Sequence, residues 1–377
     1  YTVTETDSTG RVITTTWTAG VYEGKYLRDF TQTNFDSKEG TSTFKRFNIQ
    51  YSAPGQISSY DETGVGNHIE GEDGTNVPFT YTLSRTNITY YGGQVAGYDE
   101  VRYDMPANME EADFDADLSK WVKTTTHVTM EYLDVPSQFG EDVDPDAPRL
   151  KKTTIVSHTE KPDGSYDDST AVTEYTYDNT YTLTGGTIHT EMSGRGSETI
   201  EYTFTDKDGT THILTRTEKD GVVKFTYTDE DGNEVEVAEA DVVTEIKPAA
   251  DYSGYTDTVL EIVSGTPMAK KTTSHIEFRG IADDPEKGTK AGDIIRVEDS
   301  TVTFTNSVVG YFPRVISSTE VTTTGFPLTD PTNEHQSKKS ITTTFTYDAN
   351  GYLTAAAGAG YEESWSYSSE QGWNTHI

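Results

Sequence analysis

Between Glu198 and Val237 apolar side chains fall on every second position: Ile200, Tyr202 and Phe204, then Val223, Phe225 and Tyr227, then Val235 and Val237. A period of two is the pattern of a strand with one covered face. The runs are separated by DKDG, EKDG and DEDG, whose glycines at 209, 221 and 232 supply the positive φ of tight hairpin turns. The same alternation opens the chain as YTVTET and RVITTTWT on either side of DSTG. It continues through residues 21–49, with Tyr22, Tyr26, Phe30, Phe35, Phe44 and Phe47 as inner-face aromatics, and through VPFTYTLSRTNITYY at 77–91. It returns at 150–159, 171–184, 259–263, 272–278, 293–305 and 315–324, and again from Ile341 onward. Short alternating runs with Gly-containing turns between them predict an all-β chain rather than one that alternates strands with helices.

One segment breaks the rhythm. Phe114, Leu118 and Trp121 are spaced by four and three, and Asn108 stands three residues before Glu111 as an N-cap pair would, so a short amphipathic helix is expected within 108–121. Polar insertions at 54–74 and 283–292 read as sheet-end loops, and DVPSQFGEDVDPDAPR at 134–149 is the best candidate boundary. The expectation is therefore an N-terminal β domain, 1–148, and a C-terminal hairpin meander, 149–377. Together they would form an antiparallel meander of short hairpins, as one elongated sheet or two β-sandwich-like domains, with at most one or two short helices.

Composition narrows this further. Hydrophobic residues make up 32% of 377 residues, and adding the 32 glycines still leaves the chain below the roughly 45–50% of globular proteins, so the core must be thin. Disorder is the competing account of low apolar content, but 24 Tyr in period-two order with Val, Ile and Thr is what disordered segments lack. A net charge of −34 repels phosphate backbones and anionic membrane surfaces, which excludes nucleic acid as a partner. No apolar stretch reaches the ~18 residues of a spanning helix. Cysteine is absent, which a large β protein tolerates. Tyr1 already lies in a strand-like run, from which we expect an exported chain whose leader has been removed, located outside the cell or on its surface.

Candidate chemistry is sparse. There is no phosphate-binding loop, no HExxH and no GxSxG, and the eight histidines are scattered, so each reads as a strand-face or loop residue and no enzymatic site or cofactor is expected. With 63 acidic residues, paired carboxylates carry no information. Calcium suits one loop better. Glu141, Asp142, Asp144 and Asp146 place hard oxygen donors at close spacing, as do Asp113, Asp115 and Asp117, although neither set follows the EF-hand pattern. Asn87-Ile88-Thr89 is an N-glycosylation triplet, and Thr-rich strands offer sites for O-linked sugar.

Near the end of the chain, Tyr347-Asp348-Ala349-Asn350-Gly351-Tyr352-Leu353-Thr354 resembles the YD repeat of bacterial Rhs-type surface and toxin-shell proteins, and residues 228–232 and Tyr177-Asp178 echo it in part. The resemblance covers eight residues and implies an extracellular β-hairpin scaffold without chemistry of its own. Two functions remain in view. One is a secreted structural protein whose copies join through β edges into a filament, with Tyr1 and Val3 at one end and Trp365 and Tyr367 near the other as assembly residues. The other is a monomeric surface module that binds a glycan or a protein.

Overall fold

The computed structural model describes residues 2–6, 12–36, 40–70, 75–105, 118–134, 148–197, 199–207, 210–219, 222–228, 234–247, 249–281, 290–325, 335–368 and 372–376. It is 82% strand and 2% helical. The chain opens with β1 (Thr2–Thr6), β2 (Val12–Glu23), β3 (Tyr26–Asp36), β4 (Gly40–Ala53), β5 (Gln56–Glu70) and β6 (Thr75–Tyr91). β7 (Gln94–Asp104), β8 (Val122–Leu133), β9 (Arg149–Glu160), β10 (Tyr166–Tyr177) and β11 (Leu183–Arg195) follow. Six short strands come next: β12 (Thr199–Thr205), β13 (Thr211–Ile213), β14 (Thr215–Lys219), β15 (Val222–Thr228), β16 (Glu234–Val237) and β17 (Val243–Lys247). The series closes with β18 (Ala250–Val263), β19 (Thr266–Gly280), β20 (Ile294–Val309), β21 (Phe312–Gly325), β22 (His335–Tyr347), β23 (Leu353–Ser368) and β24 (Gly372–His376).

Eighteen of these strands form one sheet. From β1 to β11 each strand pairs antiparallel with the next in the chain. β11 then pairs with β18, and the succession resumes to β24. β8 and β9, on either side of residues 134–148, are neighbours in this sheet. Among the described residues β1 and β24 have one partner each, so the meander is linear and does not close into a barrel.

The stretch from 198 to 247 departs from the expected single meander. β12 pairs with β13 and β17, while β14, β15 and β16 make a separate sheet. Leu214, Phe225 and Val237 are buried together between Tyr202, Phe204, Val223, Tyr227 and Val242, which gives this insertion a core of its own. Its first and last strands are paired, Thr199 opposite Lys247, so it grows out of the β11–β18 turn without interrupting the large sheet. The expected helix is reduced, among the described residues, to a 3-10 turn at Leu118–Lys120; Asn108, Glu111 and Phe114 lie outside those residues. Trp121, directly after it, is buried. No helix of the described residues is long and apolar enough to cross a membrane.

Among the described residues the extensive contacts of each strand of the large sheet are with its sheet neighbours, so the sheet is one layer deep there. The accessible surface of the whole chain, 23441 Å², compares with about 15,000 Å² for a compact chain of this mass. What replaces a second layer is a side-chain layer on one face of β3 to β7. Phe30, Ile49, Tyr60, Leu83 and Ile88 are buried there, with Trp17, Phe44, Tyr81 and Tyr98 packed against them. The Arg46 guanidinium lies 4.0 Å from the Tyr60 ring, and that of Arg85 lies 5.5 Å from Tyr60 and 4.1 Å from Tyr98. Rings and guanidinium planes thus alternate across the strands, each contact worth about 0.5–1 kcal/mol or more as water is excluded. Ile49 and Ile88 reach this layer through bulges at Asn48 and Asn87, both at φ 53°. Asparagine tolerates that left-handed conformation, and its amide caps the bulge by donating to Asp61 at 2.7 Å and to Asp99 at 2.6 Å. A sugar on Asn87 would break the second of these bonds.

Hairpin pairs repeat a further device. Tyr51, Tyr90, Tyr132, Tyr177 and Tyr347, each close to the end of its strand, donate their hydroxyls to the backbone carbonyls of Leu27, Ile57, Val95, Leu150 and Val315 near the start of the preceding strand. Each ring covers part of its hairpin while its polar tip is satisfied.

Candidate functional site

The eight-residue stretch at 347–354 forms the β22–β23 turn. Asp348 Oδ1 accepts the N–H groups of Asn350 and Tyr352 at 2.9 Å, Gly351 adopts φ 83°, and Thr354 Oγ1 donates to the carbonyl of Thr346 at 3.0 Å. The β10–β11 turn repeats this arrangement. Asp178 Oδ1 accepts from Thr180 and Thr182, Tyr181 adopts φ 60°, and Thr184 bonds the carbonyl of Thr176. The two turns are structural caps whose carboxylates are filled by their own loops.

Of the expected assembly residues, Val3 sits in β1 with its side chain half exposed, opposite Thr15. Tyr1 lies outside the described residues. Trp365 and Tyr367 lie in β23, and Trp365 is paired on both sides, with Gln336 of β22 and Thr375 of β24, so the free edge there belongs to β24 and not to 364–368. The expected calcium loop, Glu141, Asp142, Asp144 and Asp146, lies outside the described residues, as do Asp113, Asp115 and Asp117.

The register of the sheet brings together a set that sequence reasoning treated as scattered. His158 Nδ1 lies 2.7 Å from Asp168 Oδ1 on the next strand, and its Nε2 lies 3.2 Å from Glu160 Oε1 two residues along. His189 stands between Asp257, 2.6 Å from Nδ1, and Glu191, 3.6 Å from Nε2. His275 stands between Asp299 at 2.7 Å and Glu277 at 3.6 Å. These three Asp-His-Glu sets occupy the face opposite the Arg-aromatic layer. Tyr255 links two of them, its ring centroid 6.3 Å from that of His189 and 5.8 Å from that of His275. A fourth histidine, His127, has the same Asp partner, Asp99 at 2.5 Å, but Thr129 in place of the glutamate. The visible signal was the tripeptide His-x-Glu, which occurs at 158, 189 and 275 and also at 68, where the side chains lie outside the described ones. Both imidazole nitrogens in each set face carboxylates, so none is aimed at a hydroxyl or thiol as a general base would be.

Beside the first set, a cleft of about 590 Å³ opens between Tyr103, Trp121, Lys123, His158, Glu160 and Tyr166. Lys123 is bonded to Glu160 at 3.1 Å, and Lys161 on the rim to Asp167 at 2.9 Å, so its cations are already paired. Comparison with protein-family models, curated proteins and solved structures gives no match.

The carboxylates impose a pH dependence whose sign is fixed. Hydrogen bonds donated to Asp168, Asp257 and Asp299 raise His158, His189 and His275 above the usual value of about 6.5. A group raised on folding stabilises fully below its unfolded value, and that contribution is lost as pH rises through the folded value. On the acid side, Ser197 and Ser165 hold Asp163 down to about 2, and Asn87 and His127 lower Asp99. Those contributions are complete above the usual carboxylate value of about 4 and fade as pH falls. The melting temperature, followed by circular dichroism across a pH series at constant ionic strength, is therefore expected to peak near pH 5–6. A maximum at pH 8 or above would contradict the role of the histidine sets.

Proposed function

We propose that this protein is a non-enzymatic structural subunit, exported from the cell, whose copies join edge to edge into a filament. The observation that carries the reading is the linear sheet of eighteen strands in which, among the described residues, β1 and β24 each have one edge without a partner. Because the strand number is even and every pairing is antiparallel, β1 and β24 run in opposite directions. A second copy displaced along the sheet then sets its β1 antiparallel to β24 of the first, and the alternation continues across the joint. Such a contact is heterologous and extends without closing. Neither edge strand, TVTET or GWNTH, contains Lys or Pro or a register shift, three of the devices that guard exposed edges.

A joint of this length supplies at most about five backbone hydrogen bonds, each worth about 0.5–1.5 kcal/mol net. Assembly is therefore concentration-dependent. Subunits that each carry −34 also repel, and salt screens that repulsion beyond ~8 Å. Light scattering with negative-stain microscopy tests the reading: filaments should form as protein concentration and salt rise, and monomers at every concentration would refute it.

A further inference from the structure

We propose that three of the four His-x-Glu pairs in the sequence, His158 with Glu160, His189 with Glu191 and His275 with Glu277, are chelates for a first-row transition cation such as Zn²⁺, one ion to each pair. Residues two apart on a strand share a face, which points both donors of a pair into the same space above the sheet. The Nε2 to Oε1 separations are 3.2, 3.6 and 3.6 Å. A tetrahedral zinc ion, held by nitrogen at about 2.0–2.1 Å and by carboxylate oxygen at about 2.0–2.2 Å, separates two donors by about 3.4 Å. The ion replaces the proton between them and sits to one side of the line that joins the two donors, whose separation need change little.

The cross-strand aspartates complete the chemistry. A metal-binding imidazole usually gives its second N–H to a carboxylate, which fixes the tautomer and raises the basicity of the ligating nitrogen. Asp168, Asp257 and Asp299 stand at 2.7, 2.6 and 2.7 Å from Nδ1 and leave Nε2 for the ion. No group of three or more donors converges on one point among the described residues, so each chelate offers two protein ligands, and water fills the remaining positions. The pairs are not equally open. Lys123 holds the other oxygen of Glu160 at 3.1 Å and Arg279 that of Glu277 at 2.5 Å, whereas Glu191 has no lysine or arginine partner among the described residues. His189 with Glu191 is accordingly the tightest site. His127 is the internal control, since it keeps the aspartate but has Thr129 where the chelate needs a carboxylate.

The test is a Zn²⁺ titration of the intact protein at pH 7.5 in a non-coordinating buffer, read by the ring resonances of its eight histidines and by calorimetry. Zinc should shift His158, His189 and His275 while leaving His127 in place. His189→Ala should remove one equivalent, Asp257→Ala should weaken that same site about 10–100-fold, and Thr129→Glu should bring His127 into the responding set. Circular dichroism of each variant establishes that it is folded, and Glu191→Gln provides a second, conservative removal of the same site. Zinc binding unchanged when all three histidines are replaced, or shifts shared equally by His127, would overturn the proposal by showing that carboxylate charge alone attracts the ion.

Discussion

Removal of residues 1–7 is expected to leave a folded protein that no longer forms filaments. The deletion takes away β1 and leaves seventeen strands, an odd number, in the large sheet. The new edge is β2, which runs opposite to β1, so a copy displaced along the sheet would meet β24 in parallel and the alternation would break. The fold itself should survive, because β1 contributes five residue pairs to one neighbour, and the buried layer begins at Trp17 and Phe30. Removing residues 369–377 as well returns the count to sixteen and restores an antiparallel joint, now between β2 and β23. The double truncation is therefore expected to regain assembly that the single one loses. Electron microscopy of the three proteins at one concentration reads the outcome, and filaments from the 1–7 deletion would defeat the edge mechanism.

The second large effect concerns stability. Glu62→Ala is expected to destabilise the sheet by about 3 kcal/mol, the lower end of the range for removing one partner of a buried ion pair. Glu62 is 6% exposed, receives two guanidinium N–H groups from Arg46 at 2.6 and 2.9 Å, and accepts the Tyr81 hydroxyl at 2.9 Å. Burial first, and then the bond to Glu62, push the Tyr81 phenol up. The Tyr81 ring can reach across because Gly64, opposite it, has no Cβ; one built there would lie 2.2 Å from the ring. Truncating Glu62 strands the Arg46 charge among Phe30, Phe44 and Tyr60. Glu23→Ala is the comparison. It breaks an ion pair with Arg28 whose carboxylate side chain is 76% exposed, and should change stability by less than about 1 kcal/mol. Equal urea midpoints for the two variants would show that the Arg-aromatic layer does not hold the sheet.

The strand content was legible because period-two alternation and Asp-Gly or Asn-Gly turns are local signals, and so was the thin core, from an apolar fraction of 32%. What escaped the sequence is set by pairing between strands. The insertion at 199–247 alternates like its surroundings, and only the pairing of β12 with β17 separates it from the meander. The inward turn of Ile49 and Ile88 depends on bulges at Asn48 and Asn87, where a single residue reverses the faces. The histidine sets were hidden for the same reason. Their aspartates come from neighbouring strands 10, 68 and 24 residues away, and the sequence displays only the glutamate two positions on.

Edge-to-edge extension of a single sheet is tested most directly by fibre diffraction from aligned filaments grown at high concentration in salt. Strands that cross the fibre axis and add edge to edge should give a meridional reflection near 4.8 Å. Each subunit should also contribute an axial repeat of up to about 86 Å, from eighteen strands spaced about 4.8 Å apart. Filaments whose strands run along the axis, or whose repeat is unrelated to eighteen strand spacings, would contradict the account.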